Sequence, residues 1–170
     1  MTTRSDLKCS SNTSDIVQRA ANKSWLLRRL KKFRANIEEL VDVYSKYCRS
    51  LLEISVPVWH HVISVYESNS IVRAQKMALH TILGDEYRNY ETASGIVGLK
   101  TLVSRRTPLC INFAKRVVEN IKFKHWFWEK PKLSTRQPAE KYWGSVTRTT
   151  RLKQSAIPYL TNLLNIQHMK

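Results

Sequence analysis

A chain of 170 residues carrying 29 lysines and arginines against 13 acids, formal net charge +16, points to a polyanionic partner, nucleic acid above all. Its 42% apolar content and four glycines exclude a disordered chain or a glycine-rich sheet protein, and suit a helical domain with a sizeable core. Three scattered cysteines (Cys9, Cys48, Cys110) exclude a disulfide framework; with no secretory leader in residues 1–22 and no apolar run of membrane-spanning length, an intracellular protein is expected, in nucleus or cytoplasm.

Residues 1–12 are polar and read as a flexible lead-in. Thr13 or Ser14 caps a helix reaching about Arg34, with Asp15 favourable in its first turn. Ile16, Ala20, Leu26, Leu27, Leu30 and Phe33 fall on one arc of this helix, and Arg28, Arg29, Lys31 and Lys32 on the opposite arc. Asn36 with Glu39 forms a capping box that opens a second helix. Its apolar stripe is Leu40, Tyr44, Tyr47, Leu51 and Ile54, widened by Val41, Cys48 and Leu52. The helix stops before Pro57, because the residue preceding proline is driven out of the α region.

The stretch from Val58 to Val65 is either a turn or the start of the next helix. Ser64 or Ser68 opens a helix through Ile71, Ala74, Ala78, Ile82 and Leu83, and Gly84 stands where a left-handed C-terminal residue is wanted. Tyr87, Tyr90 and Ala93 anchor a short helix before Gly98. A longer helix runs from about Leu102 to Ile121, with Leu109, Phe113, Val117 and Ile121 on one face. Pro108 either kinks it or restarts it behind Thr107. From Lys122 the character changes: residues 122–153 hold nine lysines and arginines against two glutamates, mixed with aromatics and prolines. Extended or irregular chain folded back over the helices is expected there, before a last short helix near Tyr159–Asn165. The fold class is all-α, a helical bundle of about five helices with an irregular basic-aromatic C-terminal arm, in segments 1–12, 13–56, 57–121 and 122–170.

Reaction chemistry finds little footing. Cys48, His60, His61 and Cys110 are the soft-ligand set worth testing for zinc, but structural zinc sites bring ligands as close pairs two to four residues apart, and adjacent His60-His61 do not supply one. Two core thiols and a hydrogen-bonded histidine pair explain the set better. Among the carboxylates, Glu38-Glu39 belong to a helix start, Asp85-Glu86 to a turn, and Glu53 to pairing with a basic neighbour. None suggests the convergent acids of two-metal phosphoryl transfer. No serine or cysteine lies in a nucleophile elbow with an activating base.

Phosphate binding is the stronger candidate. Arg28, Arg29, Lys31, Lys32 and Arg34 can neutralise phosphates without reading sequence, although a charged helical face is often merely solvated. Arg105 and Arg106 are weaker candidates, since either can serve a helix end or a carboxylate. In Lys122-Phe123-Lys124-His125-Trp126-Phe127-Trp128-Glu129-Lys130 cations interleave with aromatics. There Lys122, Lys124 and Lys130 can track a backbone while Trp126 and Trp128 stack on unpaired bases. The competing reading buries Trp126, Phe127 and Trp128 as core beneath the arm; Trp59 and Trp143 are expected to be packing residues.

The motifs, taken in order, resemble the C-terminal third of jockey-type non-LTR retrotransposon reverse transcriptases. The resemblance rests on Leu26-Leu27-Arg28-Arg29-Leu30-Lys31-Lys32, Val43-Tyr44, Arg49-Ser50-Leu51-Leu52-Glu53 and Pro57-Val58-Trp59. It continues through Arg73-Ala74-Gln75-Lys76, Ile82-Leu83-Gly84, Tyr87 with Tyr90-Glu91, Leu102 with Arg105-Arg106, Leu109-Cys110 and Phe113-Ala114. Arg148-Thr149-Thr150-Arg151, Ser155-Ala156-Ile157-Pro158-Tyr159 and Leu163-Leu164-Asn165 resemble the end of that polyprotein. The span is about Asp6 to Asn165. Cys9 stands where the family has tryptophan, and Val72 where it has glutamate.

The resemblance implies a thumb over 13–56 and a post-thumb extension beyond it, holding template RNA and primed DNA. The polymerase palm with its paired aspartates and magnesium is not within these residues, whose aspartates are Asp6, Asp15, Asp42 and Asp85. The expected function is therefore non-catalytic RNA and DNA binding, with no cofactor and possible docking to a palm. The alternatives are a basic interaction protein for an acidic partner or anionic surface, and a truncated element remnant without function.

Overall fold

The computed structural model describes residues 10–131, 140–144, 148–153 and 155–169. The fold is all-α. Its helices are α1 (Ser10–Lys32), α2 (Ile37–Val43), α3 (Ser50–Leu52), α4 (Val56–Trp59), α5 (Val65–Leu83), α6 (Tyr90–Ile96), α7 (Leu102–Glu119), α8 (Thr150–Lys153) and α9 (Ala156–His168). They group into two compact units interleaved in sequence: the chain to Ser55 with Ile63–Arg105, and Val56–Val62 with Arg106 onward.

Local polar signals start the helices of the first unit. Asn36 accepts from the Glu39 N–H at 2.8 Å while Glu39 accepts from the Asn36 N–H at 3.1 Å, so both orphan donors are satisfied. Ser64, not Ser68, does the same with Glu67 at α5. Asn89 caps α6 by accepting from the Thr92 N–H at 2.8 Å. Gly84 ends α5 at φ +62°, a conformation that side-chain-bearing residues rarely adopt. A Cβ there would lie 2.7 Å from the Lys31 ammonium.

At the chain start the expected order shifts. Residues 1–9 of the expected lead-in, with Cys9, lie outside the described residues, but α1 already runs from Ser10. Thr13 is buried inside the helix instead of capping it, and Asp15 pairs with Arg19 at 3.0 Å one turn later. The core arc holds at Ile16, Ala20 and Leu27 but fails at Phe33, which is 80% exposed. Phe33 lies just past Lys32, where the helix stops.

Between α2 and α3 the helix continues through a π-helical turn, Tyr44–Arg49. A π turn takes one residue more to come round than an α turn, so same-face residues recur every four positions. Leu40, Tyr44, Cys48 and Leu52 are accordingly buried, while Tyr47 and Ile54, expected on the stripe, are exposed. Leu40, Tyr44 and Cys48 pack with Leu27 of α1 and with Ala78, Leu79, Ile82 and Leu83 of α5, closed by Ala93 and Leu99. Gln75 sits wholly buried beside them: its amide oxygen accepts from the Tyr90 hydroxyl and from the Leu102 N–H at 3.1 Å, and its nitrogen donates to the Lys100 carbonyl at 3.4 Å.

In the second unit α4 supplies Trp59, fully buried, and α4 packs on α9. The stretch after Pro57 is thus first a short helix and then a turn leading to Ser64. From α7 this unit buries Arg106, Cys110, Ala114 and Val117. That stripe differs from the expected one: Leu109 is half-buried, Phe113 is exposed, and Ile121 lies beyond the helix end, 92% exposed. Thr101, not Thr107, stands before the helix; its hydroxyl accepts from the Ser104 N–H at 3.3 Å, and α7 runs unbroken through Pro108.

The arm is more ordered than expected. Its last helix, Ala156–His168, is nearly twice the anticipated length, and α8 precedes it. Residues 128–130 and 141–143 pair antiparallel: Lys130 N–H donates to the Lys141 carbonyl and Trp143 N–H to the Trp128 carbonyl, each at 2.8 Å. The rest of the arm, residues 132–139, 145–147, 154 and 170, lies outside the described residues.

Candidate nucleic-acid interface

The basic residues anticipated as phosphate contacts separate into different environments. Arg28, Arg29 and Lys32 are exposed on the last turns of α1, where cations also complement the helix dipole. The Arg29 guanidinium lies 5.5 Å over the Trp25 ring. Lys31 differs: its ammonium donates to the Thr81 and Ile82 carbonyls at 2.7 and 3.0 Å, so it ties α1 to the end of α5. Lys31 therefore acts first as a structural clamp.

Arg34 is exposed at φ +60°. The Arg34 N–H donates to the Lys31 carbonyl at 3.0 Å and the Ala35 N–H to the Leu30 carbonyl at 3.1 Å, the bond pair of a Schellman motif. Arg34 thus fills the position that normally selects glycine, and it places its cation beside those of α1. Arg34→Gly is expected to raise stability by about 1 kcal/mol while weakening anion binding. Thermal melting and a binding titration on the same variant check both halves.

Arg105 and Arg106 are structural. Arg105 forms a bidentate ion pair with Glu53, its Nη2 lying 3.0 Å from Oε2. The expectation that Glu53 pairs with a basic neighbour is met in this way. Arg106 is only 2% exposed, and its guanidinium lies 5.6 Å over the Trp59 ring. Arg105 keeps 29% of its side-chain surface exposed, whereas Arg106 is enclosed. Trp59 packs as expected.

In the arm Lys122, Lys124 and Trp126 are exposed, and Trp126 is tilted against Phe123 at 5.1 Å. Of the three aromatics proposed as core, only Phe127 is buried; Trp128 is 72% exposed. Trp143, expected to pack, is 57% exposed. It stands directly opposite Trp128 across the antiparallel contact, with the Lys130 ammonium 5.5 Å over its ring. Lys130 also pairs with Glu140 at 2.7 Å, and Lys141 with Glu129 at 3.5 Å. The mirror order Trp128-Glu129-Lys130 and Lys141-Tyr142-Trp143 is the sequence signal for this face.

The soft-ligand candidates sit in apolar surroundings. Cys48 is buried in the first unit. In the second, burial pushes the Cys110 thiol up to about 11. His60 and His61 flank the Tyr159 ring at 5.8 and 5.9 Å, and burial lowers the basicity of both, with Arg106 adding to the effect at His60. Among the described residues no group of three or more metal-ligating side chains is gathered, and no helix is long and apolar enough to cross a membrane. No protein-family model, curated protein or solved structure matches the chain.

Proposed function

We propose that the chain is an RNA- and DNA-binding protein that grips a sugar-phosphate strand through the C-terminal end of α1. The observation that carries this reading is the gathering of Arg28, Arg29, Lys32 and Arg34, all exposed, at one helix end, with Arg34 held where glycine is the usual residue. A strained backbone retained for a cation makes sense if the cation has a task. The chain's excess of 29 basic over 13 acidic residues adds long-range attraction. The order of the family motifs supports a narrower form of the reading: the non-catalytic thumb and post-thumb portion of a retrotransposon reverse transcriptase, acting on template and primer.

Backbone gripping has a quantitative signature. The logarithm of affinity falls with the logarithm of salt by roughly 0.7 per phosphate neutralised on a single strand and roughly 0.9 on a duplex. Joint substitution Arg28→Glu, Arg29→Glu and Lys32→Glu is expected to lower that slope by roughly 2–3 and affinity by tenfold or more. Fluorescence anisotropy across a potassium chloride series reads both quantities. An unchanged slope would refute the assignment of the site, and tighter binding to acidic protein or lipid than to RNA would transfer the cationic face to another partner.

A further inference from the structure

We propose that the face carrying Trp128 and Trp143, with Lys130 beside them, is a stacking site for the unpaired bases of a single-stranded RNA or DNA. The inference rests on the nucleic-acid reading above, but on different residues from those that support it. The two indoles stand opposite each other on one side of the antiparallel contact, and both are more than half exposed. The same unit encloses Trp59 completely, so leaving two indoles in water is not a limitation of its core.

The platform is held rigidly from behind. Tyr142, adjacent to Trp143, points to the opposite side and is buried. Its N–H donates to the Asn165 side-chain oxygen at 2.9 Å, and its carbonyl accepts from the Asn165 amide at 3.1 Å. Asn165 is itself buried on α9, and the Phe127 ring meets Tyr142 edge-on at 6.2 Å. Aromatic rings on a fixed backbone stack on bases with little loss of conformational freedom.

Charge selects the occupant. The cation beside the indoles on this face is Lys130, whose ammonium lies over the Trp143 ring, while that of Lys141 lies 5.3 Å over the Tyr142 ring on the other side. An indole entering a bilayer would drag the Lys130 ammonium toward the acyl boundary, whereas a nucleotide strand offers it a phosphate and offers each ring a base. The carboxylate now paired with Lys130, Glu140, is a half-exposed partner of the kind that phosphates displace at small cost.

The test compares Trp128→Ala, Trp143→Ala, their combination and Trp128→Phe with the unaltered chain. The probes are labelled oligo(U), oligo(dT) and a blunt duplex of about 20 nucleotides, long enough to span a single-strand site. Each alanine is expected to weaken single-strand binding about fivefold to a hundredfold, with the phenylalanine recovering part of the loss. Duplex affinity should stay within about twofold, and quenching of tryptophan emission by oligo(U) should fall in the double variant. A larger loss on oligo(U) or on oligo(dT) identifies which strand chemistry the platform prefers, and either loss supports the proposal. Undiminished single-strand affinity in a double variant of native circular dichroism overturns it, as does equal loss on single strand and duplex. Loss of binding to phosphatidylserine vesicles with oligonucleotide affinity intact also overturns it, in favour of a lipid surface. If the unaltered chain binds none of the oligonucleotides, the nucleic-acid reading falls as well.

Discussion

Replacing Trp59 with alanine should destabilise the protein by about 3–5 kcal/mol, the range for removing a fully enclosed aromatic. The indole is wholly buried, α4 packs through it toward α9, and its face supports the guanidinium of Arg106. Losing the ring leaves both a void and a buried cation short of one favourable contact, and the two penalties add. Trp59→Phe keeps an aromatic face beneath the guanidinium and should recover most of the loss. The urea midpoint, read by far-ultraviolet circular dichroism, measures both variants. A cost below about 1 kcal/mol for the alanine would mean that the indole is not the centre of its unit.

Gln75→Leu comes next, with an expected cost of about 2–4 kcal/mol. Volume is nearly conserved, so packing alone predicts almost no effect. The loss arises because one amide oxygen serves two donors, the Tyr90 hydroxyl and the Leu102 N–H at the buried start of α7. A desolvated donor deprived of its acceptor, here the Leu102 N–H, costs far more than an average hydrogen bond contributes. Gln75→Glu makes the complementary test. It keeps the acceptor but buries an acid, whose pKa then rises in the folded state. Stability relative to wild type should therefore be best at pH 4, below the unfolded glutamate value, and should fall as pH rises through the folded one. A leucine variant as stable as wild type, or a glutamate variant indifferent to pH, would count against this bridge.

Signals carried by neighbours in sequence are legible from the sequence itself. Asn36 with Glu39 and Gly84 are local devices, complete within a few residues, and each acts where its chemistry suggests, while the sequence leaves Ser64 and Ser68 open and the box with Glu67 selects Ser64. The helical class was legible for the same reason. Burial was legible only while the helix kept its ordinary period. One π turn narrowed the buried stripe to Leu40, Tyr44, Cys48 and Leu52 and left Tyr47 in water, and no residue type advertises such a turn. Arg106 is legible in the sequence only as a weak phosphate candidate or a partner for a helix end or carboxylate, because its type is almost always exposed; its place over the Trp59 ring depends on a distant segment. The burial of Gln75 depends on Tyr90 and Leu102, which no local signal places against it. For the site, Arg28, Arg29 and Lys32 are exposed as the helical arc requires and Arg34 is exposed just past the helix end, while the clamp made by Lys31 depends on α5, fifty residues away. The indole pair depends on two extended segments meeting at an isolated antiparallel bridge, which local sequence does not dictate.

The excursion from Val56 to Val62, which leaves one unit for the other and returns, restricts how this polypeptide can be divided. No single cut in its gene yields both halves whole. A shortened product ending at Arg105 would keep Val56 and Trp59 while losing α9 and the Arg106 side chain that cover them. Those sticky apolar groups would then face water and favour self-association. Preparing either half alone calls for circular permutation or for excising the seven-residue insert, with a short polar bridge between Ser55 and Ile63.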